Sequence, residues 1–333
     1  MLGASGYIGS NLVRVGSESG VDVSPVQKVW VSPIAGGGRG DARGVARRWR
    51  RANEEAFRRQ VSALEGFEVV VNAVGTADPR AADSDELFAA NAVQPAVLAH
   101  AAQLAGVRRL VHVSTAAVQG RRDPLDETAV HQPLSPYGRS KAAGERALLD
   151  AADHGTEAPP EVVVYRPTSV YGDGRPATRS LARLAARLPL MPVAGGPDRP
   201  VPVALADNVM LGIVFTATSP DALGIVLQPW EGITARNLLE LFGARRTVPV
   251  PPSLVDVALA PLAATAGAVP KLVSRLRWLE LVLQGQGVRA EKLLAAGFEP
   301  PCGLDAWRAL VEHEHESLRM AELSRNGTRP RRR

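Results

Sequence analysis

The chain has 333 residues, 45% hydrophobic and 22% charged, the balance of an ordinary globular protein, which excludes a wholly disordered or collagen-like chain. One cysteine, Cys302, excludes a disulfide framework and a thiolate-rich zinc site and points to a reducing cytoplasm. The net charge of +5 equals the five arginines of residues 325–333, so everything before that tail is neutral overall.

The first 170 residues alternate short apolar runs with helical patterns, which predicts βαβ units, a parallel sheet and a Rossmann-type α/β fold. Met1-Leu2-Gly3 has neither a basic nor an apolar leader character, so no signal peptide is expected. Gly3-Ala4-Ser5-Gly6-Tyr7-Ile8-Gly9 then gives a G-x-x-G-x-x-G spacing that opens a helix from Ser10 to Val15. Glycines there let the backbone turn sharply and approach a pyrophosphate, with the unpaired N–H groups of a helix N-terminus beneath it. Only Met1 and Leu2 are available for the strand that should precede this turn, so the central strand is expected to start upstream or to be nearly absent.

Val21 to Val26 reads as the next strand, with Pro25 awkward inside it. Its end, Val26-Gln27-Lys28, offers a cation where a ribose 2′-hydroxyl would take an acid, which favours a 2′-phosphate and hence NADP over NAD. Arg39 to Arg59 holds eight arginines against Asp41, Glu54 and Glu55 and reads as a solvated helix face. Phe67 to Ala73 is a strand closed by Gly75, Leu87 to Leu104 a helix, and Arg109 to Ser114 a buried strand in which His112 is a satisfied core histidine. Tyr137 to Ala152 is a helix, and Glu161 to Tyr165 a strand ending at Arg166-Pro167.

Beyond Gly172 the pattern loosens into Pro- and Gly-rich connections, notably Leu188 to Pro202. The expected organisation is a dinucleotide-binding domain over residues 1–170, a substrate-binding portion over 171–324 and a basic disordered tail over 325–333. The uncharged stretch from Val257 to Pro270 is shorter than the ~20 residues a bilayer requires, so no membrane span is expected. Trp278 and Leu279, near Arg275 and Arg277, fit an amphipathic helix. His313 and His315 lie two apart on a helix and cannot share a face, so no metal is expected. No aromatic residues interleave the arginine tail, and no nucleic-acid partner is expected.

Ser114-Thr115 stands where a buried strand ends, and Tyr137 and Lys141 follow at i and i+4 on one helix face. An ammonium beside a phenol favours the phenolate. The Thr115 hydroxyl can hold a substrate oxygen while Tyr137 exchanges its proton and a nicotinamide exchanges hydride.

Together, Gly3/Gly6/Gly9, Val113-Ser114-Thr115-Ala116-Ala117-Val118, Ser135 to Lys141 and Tyr165-Arg166-Pro167-Thr168-Ser169-Val170-Tyr171-Gly172 resemble the extended short-chain dehydrogenase/reductases. More narrowly, they resemble the NAD-dependent epimerase/dehydratase group acting on nucleotide sugars. The likeness is specific from Gly3 to about Gly172. It continues weakly through Ala206 to Val209 and Lys292 to Pro300. It implies that Tyr137 is the catalytic acid/base and that Lys141 lowers its pKa and holds the nicotinamide ribose. Thr115 would polarise the substrate, with Ser114 beside it. Gly3, Gly6, Tyr7, Ile8 and Gly9 would line the pyrophosphate. Asn72, Ala73 and Val74 would pass the cofactor ribose, Asn91 would support the active-site strand, and Pro167 would flank the nicotinamide. Homodimerisation through the helices at Leu87 and Tyr137 is also implied.

The departures from the pattern bear on substrate and cofactor. Arg50-Arg51-Ala52-Asn53 replaces an acid that holds adenine. Ser169 replaces a substrate-binding asparagine, Gln119 a tyrosine, and Leu205 a His or Tyr. Arg199 stands near the place of a diphosphate-binding arginine. Ala116-Ala117 replaces the Asp-Glu pair of the 4,6-dehydratases and cannot transfer protons, which disfavours dehydration. Three readings follow: a 4-ketoreductase or 4-epimerase of a nucleotide-linked sugar, a reductase of a steroid- or polyketide-like ketone, and a non-catalytic dinucleotide-binding scaffold.

Overall fold

A computed structural model describes residues 1–34, 40–153, 159–187, 190–194, 196, 198–266 and 270–327. In chain order the elements are α1 (Tyr7–Glu18), α2 (Ala42–Ala52), α3 (Glu54–Ser62), β1 (Val69–Asn72), α4 (Asp85–Phe88), a π-helical turn (Ala89–Val93) and α5 (Gln94–Leu104). There follow β2 (Arg109–Val113), a 3₁₀ turn (Ala116–Gln119), α6 (Pro136–Asp153), β3 (Glu161–Arg166), β4 (Ser169–Tyr171), α7 (Pro176–Arg187), β5 (Leu190–Ala194) and β6 (Val203–Leu205). The chain closes with α8 (Ala206–Thr218), β7 (Ile225–Leu227), α9 (Ala235–Leu241), β8 (Arg246–Val250), α10 (Pro252–Ala266), α11 (Pro270–Gln284), α12 (Lys292–Ala295) and α13 (Leu304–Gly327). Residues 328–333 of the arginine tail lie outside the described residues.

The main sheet is parallel, in the order β1-β2-β3-β7. All five residues of β2 are buried, as expected of a parallel strand covered by helices on both faces. One face carries Val70 and Leu110 against Trp49, Phe57, Leu98 and Leu148 of α2, α3, α5 and α6. The other carries Val71, Val111 and Val163 against Leu12 of α1 and Ile213 of α8. A separate core, around Tyr171, Phe242 and Trp307, holds the C-terminal portion together, with Tyr171 5.6 Å from the Trp307 ring and 6.0 Å from Phe242.

The strand expected over Val21 to Val26 is reduced to a single bridge, Val26 to Leu2. Pro25 has no N–H to give a ladder, so pairing stops at its neighbour. The central strand is equally short but is not left unpaired. Leu2 bridges Val26 on one side and Asn72 on the other, and its N–H donates to Val71 O at 2.9 Å. Leu2 is fully buried, so two residues seat the glycine turn between Val26 and β1.

The continuous helix expected from Leu87 to Leu104 is broken by the π-helical turn at Ala89–Val93. Pro95 follows it, and a proline removes the hydrogen bond to the carbonyl four residues earlier, that of Asn91. Single π-turns inside α-helices are frequent at functional sites. Gly144 of α6 packs on that freed carbonyl so closely that a Cβ there would stand 2.3 Å from Asn91 O. Gly144→Ala should therefore force α6 outward and cost about 1–3 kcal/mol of stability, read by urea denaturation; an unchanged midpoint would contradict this packing.

Candidate active site

The glycine turn brings backbone to backbone. Gly3 has φ +88° and its Cβ would lie 2.8 Å from the Ala73 carbonyl, while a Cβ on Gly9 would lie 2.0 Å from Gly3 O. Only glycine fits either place. The N-terminus of α1 has Gly6 at its cap, no side-chain cap and no acid in its first turn, so its N–H groups and positive dipole end are left for an anion. This bare cradle fits a dinucleotide pyrophosphate. Ile8 is packed into the core behind it. Tyr7 instead reaches across to the C-terminal portion. Its hydroxyl would lie 2.2 Å from a Cβ on Gly172, and the Arg175 guanidinium stacks 4.7 Å from its ring centroid.

The ends of β1 and β2 open beside this turn. Thr115, half-buried after β2, accepts from Ala117 N at 3.2 Å, and its hydroxyl acts on the neighbouring Tyr137 phenol. Burial raises the Tyr137 pKa above its ordinary value, against the smaller lowering influences of the Thr115 hydroxyl and the charge of Arg175. Lys141, one turn along α6, is buried and donates to Val113 O at 3.0 Å. Burial pushes its ammonium down to about 8, against an opposing pull from Glu145. Lys141 Nζ and Asn91 Oδ1 converge on the Gly75 backbone, where a Cβ would meet them at 3.1 and 2.6 Å. Asn91 accepts from Thr76 N at 2.8 Å and donates to Ser140 Oγ at 3.0 Å, which ties the loop after β1 to α6. The structure thus brings Thr115, Tyr137, Lys141 and Asn91 together above the glycine turn.

The remaining expected residues divide. Pro167 lies beside the site, its carbonyl accepting from Ala116 N at 2.9 Å, and the neighbouring Thr168 hydroxyl is buried without a partner. Ala73 receives the Gly3 turn and Val74 is buried, its N–H donating to Asn72 Oδ1 at 3.1 Å. Ser114 is turned away from Thr115 and bonds Glu145. Ser169 begins β4, paired with Val203, and is half-buried. Lys28 is exposed, its Nζ 4.9 Å above the Trp30 ring. Arg199 is ion-paired with Asp123. Among the departing positions, Gln119 is fully buried and donates to Asp126 at 2.8 Å. His112 is only half satisfied, contrary to expectation. Its Nδ1 meets Asn72 Nδ2 at 3.1 Å, but its buried Nε2 has no partner, and burial lowers its pKa to about 3. His313 faces Asp173 at 3.4 Å, and no group of three or more potential metal ligands occurs among the described residues.

Sequence reasoning missed Glu145. It continues the Tyr137/Lys141 stripe by one more turn and is fully buried. Arg166, at the end of β3 and also fully buried, donates to it at 2.6 Å. His131 reaches the same carboxylate at 2.8 Å, and Ser114 completes the cluster. Although burial alone would raise it, bonds from His131, Arg166 and Ser114 hold its pKa down at about 2. The i+4 spacing from Lys141 was the available signal; its partner is 21 residues away. A depressed carboxylate stabilises the fold above its ordinary pKa of 4.5, and that contribution is lost as pH falls towards about 2. Glu145→Gln should cost about 3–5 kcal/mol at neutral pH by stranding Arg166, and the gap to the parent should narrow on acidification; equal denaturation curves at pH 7 would refute the cluster's role.

Comparison with known proteins agrees with this geometry. A profile of the NAD dependent epimerase/dehydratase family matches residues 1–195. The chain is 28% identical over 235 residues to a ceramide reductase of Caulobacter vibrioides, spanning 68% of this chain and 62% of that protein. It is 38% identical over 132 residues to a dTDP-4-dehydrorhamnose reductase of Mycobacterium tuberculosis, spanning 36% and 40% respectively. The chain thus matches less than two thirds of the length of either relative. Among solved structures, the UDP-glucose 4-epimerase of Thermus thermophilus, in complex with NAD, superposes with a TM-score of 0.59 at 21% identity, over 94% of this chain and 97% of that one. With more than half its length matched by the family profile, the chain belongs to the NAD dependent epimerase/dehydratase family.

Proposed function

We propose that this protein interconverts a ketone and a secondary alcohol on a nucleotide-linked sugar, as a 4-ketoreductase or 4-epimerase using NAD or NADP. The observation that carries the reading is the Thr115 hydroxyl beside the buried Tyr137 at the end of β2, with Lys141 buried one turn along α6 and donating to Val113 O at 3.0 Å. A nicotinamide, when bound, supplies or accepts the hydride. The chain's own part is the proton: Thr115 and Tyr137 offer adjacent hydroxyls to one substrate oxygen, and Tyr137 gives or takes the proton there. Tyr137 is only 8% exposed, which limits competing exchange with water. Ala116-Ala117 after Thr115 adds no further acid or base, so chemistry ends at redox exchange and does not extend to loss of water.

One observation favours a second reading, reduction of an apolar ketone. Arg199, the candidate for a substrate diphosphate, is engaged by Asp123, while α10 exposes Leu254 and Val257. The similarity to a ceramide reductase points the same way.

A substrate panel with NADH and NADPH separates the two: a UDP- or dTDP-linked 4-keto sugar against a steroid or long-chain ketone. Turnover of the sugar alone supports the first reading, and turnover of the apolar ketone alone the second. Tyr137→Phe should lower turnover by at least about two orders of magnitude while dinucleotide binding persists; an active variant would end the assignment of Tyr137.

A further inference from the structure

The arginine run between Arg39 and Arg59 plays no part in the site above, and its charge is unevenly compensated. Asp41 caps α2, accepting from Gly44 N at 2.8 Å, and Glu54 and Glu55 pair with Arg58 and Arg59 on α3. Of the other arginines, Arg43, Arg47 and Arg50 are spaced four and three residues apart, which puts them on one face of α2, while Arg48 and Arg51 lie off that face. The first three line a cleft of about 220 Å³ between α2, α5 and α6, beside Pro159 and Pro160 at the start of β3. The cleft is therefore at the N-terminal end of the strands, the opposite end from Thr115 and Tyr137.

Among the described residues no aspartate or glutamate lines this cleft. Among the described residues none of the three arginines has a carboxylate partner. Arg43 donates to the Asp150 carbonyl at 3.1 Å, and Arg50 contacts the His100 ring and lies 5.6 Å from the Phe57 ring centroid. Arg50 Nη1 is 3.3 and 3.2 Å from the two ring nitrogens of His100, so the guanidinium lies over the imidazole face and keeps most of its N–H donors for the cleft. Phe57 backs the same imidazole at 5.3 Å. Burial and the charge of Arg50 lower the His100 pKa, so the imidazole stays neutral and serves as a donor or acceptor. Three like charges on one helix face repel one another and are relieved by an anion. Planar guanidinium forks match the oxygens of a phosphate, which brings up to two negative charges where a carboxylate brings one. Phe57, Val97 and Pro160 give the cleft an apolar wall, with Gln103 the one uncharged polar residue among the described residues lining it besides His100.

We propose that this cleft is a binding site for a small phosphorylated molecule, its phosphate between Arg47 and Arg50 and its carbon skeleton against Val97 and Pro160. The site is separate from the dinucleotide cradle and carries no assumption about the reaction.

The test is calorimetric titration of the whole protein with glucose 6-phosphate and with pyrophosphate. Parent protein, Arg47→Glu, Arg50→Glu and Arg48→Glu are compared. Arg48 makes the same charge change on the same helix from an exposed position outside the cleft. Saturable binding by the parent, weakened about tenfold or more in the first two variants and within about twofold in the third, is the expected pattern. Arg47→Gln gives the same comparison without a reversed charge if Arg47→Glu misfolds. Absence of binding by the parent overturns the proposal. So does equal binding by all four proteins, which would place the anion in the dinucleotide cradle, and so does equal weakening in Arg48→Glu, which would reduce the effect to diffuse charge.

Discussion

The site depends on how α6 is seated on the ends of β2 and β3. Three contacts, each one turn apart along one stripe of α6, hold it there. Tyr137 lies beside the Thr115 hydroxyl, Lys141 donates to Val113 O, and Glu145 takes Ser114 and Arg166. The first is chemistry and the last is anchorage. A buried ion pair is poor evidence of net stabilisation, but it is unforgiving of displacement, because moving either partner strands a charge. Arg166 adds a bond to Thr128 O at 2.7 Å, so the segment before α6 is fixed by the same cluster. Gly144 and the π-turn at Asn91 admit α6 close enough for these bonds to form.

The N-terminal half supplies the cradle, and the C-terminal portion closes on it through small contacts with polar ends. Tyr7 packs against Gly172 and Arg175, and Arg14 pairs with Asp207 at 2.6 Å, so α1 is held to α8 next to the glycine turn. Arg175 also acts on Tyr137 through its charge. The C-terminal portion therefore brings a cation whose charge opposes the burial that raises the Tyr137 pKa. No helix among the described residues is long and apolar enough to cross a membrane.

Much of this was legible in the sequence where the signal is local. The glycine turn, the valine-rich β1 and β3, the strand end at Thr115 and the Tyr137/Lys141 spacing each show in a window of a few residues. What was hidden depends on distant pairing. Arg199 is tied to Asp123 across 76 residues, and Arg166 to Glu145 across 21, so spacing gave no hint that one arginine was engaged and the other a core ion. The strand at Val21 to Val26 failed because Pro25 outweighs a short apolar run. The single helix at Leu87 to Leu104 failed because apolar spacing carries no mark of the π-turn that precedes Pro95. Lys28 sits at the expected strand end, but spacing could not reveal its exposed place over Trp30.

The central claim is that Lys141 and the glycine turn form one dinucleotide site beside Tyr137. It is tested most directly by fluorescence titration of NADH and NADPH into the parent protein and a folded Lys141→Met variant. The account predicts one saturating site per chain in the parent and at least about tenfold weaker binding in the variant, which loses the buried ammonium. A parent protein that binds neither nucleotide, or a variant that binds as well as the parent, would contradict it.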